Sequence, residues 1–433
     1  MGTIEYFKER FESLASENGA AVLDPIRKNA FAAFSRMGIP TTRHEEWKYT
    51  RIGGLFNREY QFPVRLETRQ DLPGFQLLPG HELAHQLVFV NGIFSFAQSI
   101  IRNDSITVLR LEEAAKNEHK EFVSAQLGHS GEYIHDGLRS LNMAFVHGAI
   151  FVHVKKSGSA PIPIYIYHIT DSRSANIFAQ PRSLFRVEES AAAQIVETYS
   201  TLGMQDSFTN QVMEIVVEKD ARLEYYKIQN DSSHASQVST THIRQIGKSY
   251  SHAVTISLNG GIIRNNLDLV LEAPHCEGHL YGLYFQNEKT HIDNHTIVDH
   301  AKPNCQSNEL YKGMMDDQST GVFNGKIIVR PLAQKTNAYQ SNKNILLSDF
   351  SSVNSKPQLE IYADDVKCSH GCTVGRLDEE GLFYLQSRGI REEVAKSLLL
   401  HGFAMDILEK IKPEPIREYV DHIIEERLAI DML

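Results

Sequence analysis

Between about residue 140 and residue 378 the chain shows no helical spacing of apolar residues, and this region is more than half of its 433 residues. From AFVHGAIFVHV to EIYADDVKC, β-branched and aromatic residues alternate with polar ones in short runs cut by Gly, Asn and Asp. Such alternation places every second side chain on one face of a strand. The region must therefore build its core from strands alone.

Two segments of this region repeat with an offset of thirty residues. RVEESAAAQIVETYS (186–200) and VVEKDARLEYYKIQN (216–230) align Val187 with Val217, and both enter a strand through a polar corner. Degenerate repeats of short strands without intervening helices predict a parallel β-helix, in which successive coils stack and bury an inward row. A β-sandwich is the alternative, because no strict hexapeptide repeat is present.

The repeat also predicts which side chains face inward. The expected inward row contains Ala193, Ile195, Leu223 and Tyr225. A third, looser copy, EIYADDVKCSHGCTV, puts Cys368 in the place of Leu223. By this register, all three of Cys368, His370 and Cys372 point inward.

The helical period appears on both sides of the β region. We expect a helical and loop-rich N-terminal region (1–139), a β-helix core (140–378) and a C-terminal helical region (379–433). Two amphipathic helices are predicted in the tail. Their apolar stripes are Val394, Leu398, Met405 and Leu408 in the first, and Ile416, Val420, Ile423 and Ile424 in the second.

Charge and composition narrow the possible partners. The formal net charge is −10, with 44 Lys and Arg against 54 Asp and Glu, which disfavours nucleic acid as a partner. No run of apolar residues is long enough for a membrane span, and the start lacks the pattern of a signal peptide. We expect a cytoplasmic protein whose four cysteines are free thiols or ligands.

The segment DDVKCSHGCTVGRL is the strongest candidate for a metal site. Cysteine also fills cores as a small apolar residue, and this alternative applies best to Cys372. An inward imidazole needs partners for both nitrogens, so His370 fits a plain core position less well. Same-face neighbours on a strand lie about 6.6–7 Å apart, so a straight strand supplies at most two of the three ligands. A bulge at Gly371 would be needed for more.

Two other groups of His and Cys are weaker candidates for metal sites. HIDNHTIVDHAKPNC contains His291, His295, His300 and Cys305, but the two histidines spaced four apart suit a helix, not a strand. PHCEGHLYG offers His275, Cys276 and His279 in a turn. The sequence contains neither a phosphate-binding loop nor a GxSxG elbow, so an enzyme is not expected.

Several motifs together resemble the SufD branch of the SufB/SufD family, which belongs to the SufBCD system for iron–sulfur assembly. They are KCSHGCTVG, LFYLQSRGI, NELYKG, VFNGKIIV, AYQSNKNILLSD and RHEEWKYT, and they span nearly the whole chain. The resemblance implies a right-handed parallel β-helix between helical ends. It also implies a β-helix partner, SufB, and an ABC-type ATPase, SufC, docked on the C-terminal helices at residues 391–430.

The resemblance further implies a role for particular residues. His370 and Cys368 match positions proposed to hold transient iron or cluster on the assembled complex, with none held tightly by the isolated chain. Cys372 departs from the family pattern, which more often has Ala, and Ser351 stands where SufB has its assembly cysteine. SufB is expected to pair near residues 345–375, and the isolated chain to form a homodimer in its place. The alternatives are a purely structural partner of SufB without ligands and a β-helix enzyme acting on polysaccharide.

Overall fold

The structure is a computed structural model that describes residues 3–17, 22–63, 71–156 and 161–428. Its α-helices are α1 (Thr3–Glu17), α2 (Asp24–Met37), α3 (Leu111–Ala114), α4 (Lys120–Gln126), α5 (Gly137–Ala144), α6 (Glu379–Ser387), α7 (Glu392–Leu408) and α8 (Glu414–Arg427). Short 3-10 helices lie at Glu45–Trp47, Gly53–Asn57, His81–Leu83 and His129–Glu132. No helix in these ranges combines the length and the apolar character that crossing a membrane demands.

Twenty strands follow one another in the described part of the chain. They are β1 (His85–Val90), β2 (Ile93–Phe94), β3 (Ile106–Arg110), β4 (Ile150–Val154), β5 (Ile164–Asp171), β6 (Ile177–Ala179), β7 (Arg182–Val187), β8 (Ala192–Leu202), β9 (Ser207–Val217), β10 (Arg222–Asn230), β11 (Ala235–Gln245), β12 (Tyr250–Asn259), β13 (Ile262–Leu271), β14 (Glu277–Gln286), β15 (His291–His300), β16 (Gln306–Met315), β17 (Thr320–Val329), β18 (Thr336–Leu346), β19 (Ser352–Ile361) and β20 (Val366–Gly375).

The strands form a parallel β-solenoid of about eight turns. From β7 onward, consecutive strands alternate between two sheets: sheet A ends with β17 and β19, and sheet B ends with β18 and β20. From β7 to β18, each strand pairs in parallel with the strand one coil before it and the strand one coil after it. The predicted β-helix is confirmed, and the β-sandwich alternative is wrong because it would require antiparallel neighbours.

The observed register matches the repeat in the sequence. Ala193 lies opposite Leu223, and Val187 lies opposite Val217, each across an offset of thirty residues. The expected inward row is confirmed: Ala193 is 3% exposed, and Ile195, Leu223 and Tyr225 are each 0% exposed. Between β4 and β20, the described chain contains no helix that would interrupt the stacking.

The polar corners of the repeat have a structural cause. Ser190 and Asp220 adopt left-handed backbone conformations, with φ of 62° and 56°. The N–H of Ser190 donates to the carbonyl of Lys219, and that of Asp220 to the carbonyl of Lys248, one coil further on. Short polar side chains such as Asp tolerate this conformation better than most residues. Each corner therefore bonds to the next coil and helps to keep the register.

The solenoid interior is not uniformly apolar. Glu197 and Lys227 occupy the same inward row in adjacent coils and lie 3.8 Å apart, both fully buried. Burial acts to raise the pKa of Glu197, but Lys227 and His168 together hold it at about 2. The Lys227 ammonium donates to Ser239 at 2.8 Å. A buried ion pair is tolerated here because its remaining hydrogen-bonding groups are satisfied.

Helices cover the outer faces of both sheets. In the N-terminal region, Phe7 packs edge-on against Phe34 in an aromatic cluster that reaches Phe208 and Val238 of sheet A. The tail helices cover sheet B. Their buried residues contact Tyr226, Val254, Leu283 and Met314 in one apolar cluster; they are Leu400, Ala404, Ile407, Leu408, Ile416, Val420 and Ile424.

The two helices predicted after Gly389 are present as α7 and α8, and Glu379–Ser387 forms a further helix, α6, before them. The predicted stripe of α7 is right at Leu408, which is buried, and wrong at Leu398, which is 40% exposed. The buried face of α7 also includes Ala395, Leu400 and Ala404. In α8 the stripe of Ile416, Val420 and Ile424 is confirmed.

The boundary at residue 140 is also different in the structure. β1 pairs in parallel with β5 in sheet B, and β3 pairs antiparallel with β4 in sheet A. The N-terminal region therefore contributes the first strands of both sheets, and α5 crosses the predicted boundary. Antiparallel pairing at β3 covers one end of sheet A, whereas the other end of the solenoid has no such cover within the described residues.

Coil stacking predicts a specific sensitivity to added volume. Gly282 lies opposite Tyr311 in the next coil, and a Cβ atom at residue 282 would lie 2.2 Å from the buried Tyr311 ring. We expect Gly282→Ala to lower the free energy of unfolding by about 1–3 kcal/mol, measured by urea denaturation. Gly371→Ala is the matched control, because nothing lies within 4 Å of the added atom. Equal stability of the two variants would contradict the stacking.

Candidate metal site at the open end of the solenoid

The last coil of the solenoid carries all three predicted site residues. β20 pairs with β18 on one side, and β19 pairs with β17; within the described chain, the other edge of each strand has no partner strand. We call this surface, formed by β19 and β20, the open end. Unpaired edges present free backbone N–H and C=O groups to a further strand.

Cys368, His370 and Cys372 occupy inward rows that are buried in every earlier coil. They lie opposite Ala338, Gln340 and Asn342, respectively. Cys368 is half-buried and contacts the end of the apolar core, whereas His370 and Cys372 are exposed. They are exposed because no further coil covers them. The structure therefore places the histidine at an accessible end and not in a sealed core.

The strand geometry limits how these residues can share a ligand. The register of β20 with β18 runs without interruption from Val366 to Gly375, so the strand has no bulge at Gly371. Adjacent same-face side chains are about 6.6–7 Å apart at the backbone, and the outer pair is about 13 Å apart. Cys368 and His370, or His370 and Cys372, can thus approach one ion, but all three cannot.

The protonation of Cys368 bears on this chemistry. Burial raises the pKa of its thiol, with a backbone hydrogen bond at Ala338 acting in the opposite direction. The thiolate is the form that binds metals, so a metal bound here would displace a proton. A site of one half-buried thiol and one exposed imidazole is incomplete, because iron–sulfur clusters usually take four protein ligands.

A buried carboxyl group lies in the row beneath His370. Glu309 and Gln340 precede His370 in that row, and the Gln340 amide donates to Glu309 at 2.7 Å. Glu309 is 1% exposed, and burial raises its pKa to about 7. Nothing in the sequence pattern singled out Glu309, because its position as an inward residue appears only once the register is known.

The histidines of the weaker candidate group HIDNHTIVDHAKPNC contact other side chains of the protein. His291 contacts Thr50 and Thr320, and His300 contacts Ser307 inside the solenoid. His295 lies 2.9 Å from Asp293.

The remaining cysteines face the core. The thiols of Cys276 and Cys305 donate to backbone carbonyls and are buried. His279, by contrast, lies against Glu277, 2.7 Å from its carboxylate.

Sequence inspection missed one group with metal-ligand chemistry. His401 of α7 lies 2.7 Å from Asp421 of α8, and Glu425 completes a group whose ligand atoms lie within 4.8 Å of one another. The spacing of four between Asp421 and Glu425 can be seen in the sequence. The contact of α7 with α8, which brings His401 to them, cannot. The three side chains are half-buried.

Comparison with known proteins decides which family this architecture represents. The family model described as SUF system FeS cluster assembly, SufBD core domain, matches residues 168–403, and the SufBD protein N-terminal region matches residues 3–166. The chain belongs to the SufBD family. The resemblance seen in the sequence motifs is thereby confirmed, and the chain is of the SufD type.

Three relatives match this chain along most of its length. The iron-sulfur cluster assembly protein SufD of Escherichia coli is 30% identical over 397 residues, which cover 91% of this chain and 90% of the relative. A SufBD family protein of Synechocystis is 28% identical over 413 residues, covering 92% and 90%. The SufD of Bacillus subtilis is 26% identical over 326 residues, covering 72% of each.

The buried Glu309 carboxyl predicts a pH dependence of stability. The pKa of Glu309 is about 7 in the folded chain, against an ordinary value of 4.5. As the pH rises, the unfolded chain therefore loses this proton at a lower pH than the folded chain does. The protonated Glu309 makes its full contribution to the free energy of unfolding below pH 4.5, and this contribution declines as the pH rises to about 7. We expect Glu309→Gln to match the original protein near pH 5 but to be more stable at pH 8, by on the order of 3 kcal/mol. Urea denaturation at both pH values tests this, and a difference independent of pH would contradict it.

Proposed function

We propose that this SufD-type protein is a scaffold subunit of a SufBCD complex that assists iron acquisition and cluster assembly. In this proposal the open end pairs with the β-helix of SufB, and the C-terminal region receives the SufC ATPase. Iron or nascent cluster is cargo that passes through the shared site. One observation carries the proposal: the inward rows reach an accessible end at Cys368 and His370, beside two unpaired strand edges.

The ligand assignment follows from accessibility and chemistry. His370 is exposed and can offer a neutral imidazole nitrogen, while Cys368 adds a thiolate from the same strand. Ligands from SufB would complete the coordination, which suits a scaffold because borrowed ligands allow the product to leave. Ser351, where SufB is expected to have its assembly cysteine, is buried in a turn and bonds Ser348.

The alternative of a purely structural subunit keeps the same interface but gives His370 no role. It is the second candidate because the site is incomplete within this chain. A polysaccharide-active enzyme is disfavoured by the family relationship, since the relatives are named as iron–sulfur cluster assembly proteins.

The docking of SufC on residues 391–430 needs a different surface from the one expected. The apolar stripes of α7 and α8 already pack on sheet B, so they cannot also receive a partner. Exposed apolar side chains remain on the tail at Phe383 (72% exposed), Tyr384 (56%) and Leu398 (40%). We propose that SufC docks on these exposed side chains, of which Phe383 and Tyr384 lie in α6, just before residues 391–430. Deleting the tail would uncover the apolar face of sheet B and is not a clean test.

The ligand assignment predicts distinct effects for three substitutions. His370→Gln should lower cluster yield on the purified SufBCD complex without changing the melting temperature, because an exposed side chain contributes little to packing. Cys368→Ala should have a milder effect, since a partner thiolate can carry the charge. Cys372→Ala is the matched control on the same strand and should reconstitute normally. If His370→Gln assembles clusters at the original rate, the structural alternative is correct.

Because SufB and SufC are assigned to different surfaces, a substitution on one surface should weaken binding of one partner only. Phe383→Ser combined with Tyr384→Ser should abolish co-purification with SufC and leave SufB bound. Phe350→Ser, at an equally exposed aromatic beside the open end (78% exposed), should weaken SufB binding and leave SufC bound. Loss of both partners from either variant would instead indicate a general folding defect. Retention of SufC by the first variant would place its docking surface elsewhere.

A further inference from the structure

α7 and α8 bring together a group of ligating side chains that the proposed function does not use. The two helices pack antiparallel, and the Ser397 hydroxyl donates to the carbonyl of Leu428, which follows α8. Four residues after Ser397 on α7, His401 lies beside Asp421, and Glu425 lies four residues after Asp421 on α8. The group of His401, Asp421 and Glu425 lies outside both the open end and the exposed side chains proposed for SufC.

The ligand atoms of these three side chains lie close enough to share one ion. His401 Nε2 is 2.7 Å from Asp421 Oδ1, and the three ligand atoms, one from each side chain, all lie within 4.8 Å of one another. Metal bonds of about 2.0–2.2 Å to nitrogen and oxygen place neighbouring ligands roughly 3–3.5 Å apart. A small movement of the side chains is therefore enough to bring all three ligand atoms to one ion.

The charge of the group favours a cation. Within the part of the chain that the structure describes, Asp421 forms an ion pair only with His401, and Glu425 forms none with a Lys or Arg. Carboxylates four residues apart on a helix repel each other and destabilise it. A histidine that binds a metal is neutral, so the two carboxylates then carry a charge of about −2, which matches a divalent cation.

The surroundings of the group strengthen this attraction and leave a path from solvent. Leu400, Val420 and Ile424, which are sequence neighbours of the three ligands, are buried in the apolar cluster against sheet B. The side chains of His401 and Asp421 are themselves 22% and 34% exposed. Partial burial beside an apolar cluster lowers the local dielectric constant, so the carboxylates attract a cation more strongly than they would in water. The exposed fraction leaves the ligands accessible to an ion.

We propose that His401, Asp421 and Glu425 bind one divalent first-row transition ion of the Zn²⁺ type, with water completing its coordination. The imidazole nitrogen disfavours Mg²⁺ and Ca²⁺, which take oxygen ligands, and a group without thiolates disfavours soft Cu⁺. The ion joins α7 to α8 and so stabilises the packing of the tail on sheet B. This ion is separate from the iron or cluster proposed at Cys368 and His370.

Titration of the full chain with Co²⁺, without an affinity tag, tests this proposal. Cys368→Ala combined with His370→Gln serves as the background, because it removes the ligands proposed at the open end. We expect this background to bind one Co²⁺ per chain, with visible d–d bands but no thiolate charge-transfer band. Zn²⁺ should displace the Co²⁺, whereas millimolar Mg²⁺ should not. Absence of stoichiometric Co²⁺ binding, a thiolate band, or displacement by Mg²⁺ would overturn the proposal.

Further variants in the same background locate the ion. His401→Gln, Asp421→Asn and Glu425→Gln should each weaken Co²⁺ binding by more than about tenfold, because losing even a residue that only supports a ligand costs about that much. His422→Gln is the matched control, because His422 pairs with Glu426 on the same helix, outside the group, and it should bind Co²⁺ like the background.

Thermal melting provides an independent measurement on the same variants. Saturating Zn²⁺ should raise the melting temperature of the background and of His422→Gln, but not that of the three ligand variants. Melting in EDTA shows whether each variant folds, and if one does not fold, the other two decide. Unchanged Co²⁺ affinity in a folded ligand variant, or an equal loss of affinity in His422→Gln, would overturn the proposal.

Discussion

The in-register stacking of coils is the constraint on which the rest of the structure depends. Parallel hydrogen bonding between strands about thirty residues apart keeps each inward position inward from one coil to the next, as Ala193, Leu223 and Cys368 illustrate. Where a following coil is present, such a residue is buried and contributes to the core. In the last coil no further coil covers the inward rows, so His370 is exposed, although Tyr225 in the row of His370 is fully buried. One rule therefore accounts for both the core and the candidate metal site.

The flanking helices determine which surfaces remain available. N-terminal aromatic residues cover one part of sheet A, and the buried faces of α7 and α8 cover sheet B. With both sheets packed against helices, the open end is left as the place where backbone groups can pair with another chain. A scaffold that holds cargo between subunits needs its ligands at such an edge and not in the interior. In the proposed function, Cys368 and His370 are these ligands, and the chain belongs to a family of iron–sulfur cluster assembly proteins.

The sequence predicted the features that depend on local periodicity. Alternation predicted the strands, and the thirty-residue offset predicted the register that pairs Ala193 with Leu223. Features that depend on contacts between distant segments could not be predicted. Leu398 has helical spacing with its neighbours, yet the position of sheet B decides that it faces solvent. Similarly, the burial of Glu309 depends on what packs around it, which no short motif encodes.

The most direct test of the central claim is amide hydrogen exchange of β19 and β20, alone and in the presence of SufB. The isolated chain should be measured at a concentration at which ultracentrifugation shows a monomer, because self-association would occupy the same edges. In the isolated chain, the account predicts rapid exchange only for those amides of Ser352–Ile361 and Val366–Gly375 that point away from β17 and β18. It predicts strong protection of these amides with SufB and no change in β10–β14. Protection confined to the N-terminal helices, with β19 and β20 unchanged, would contradict it.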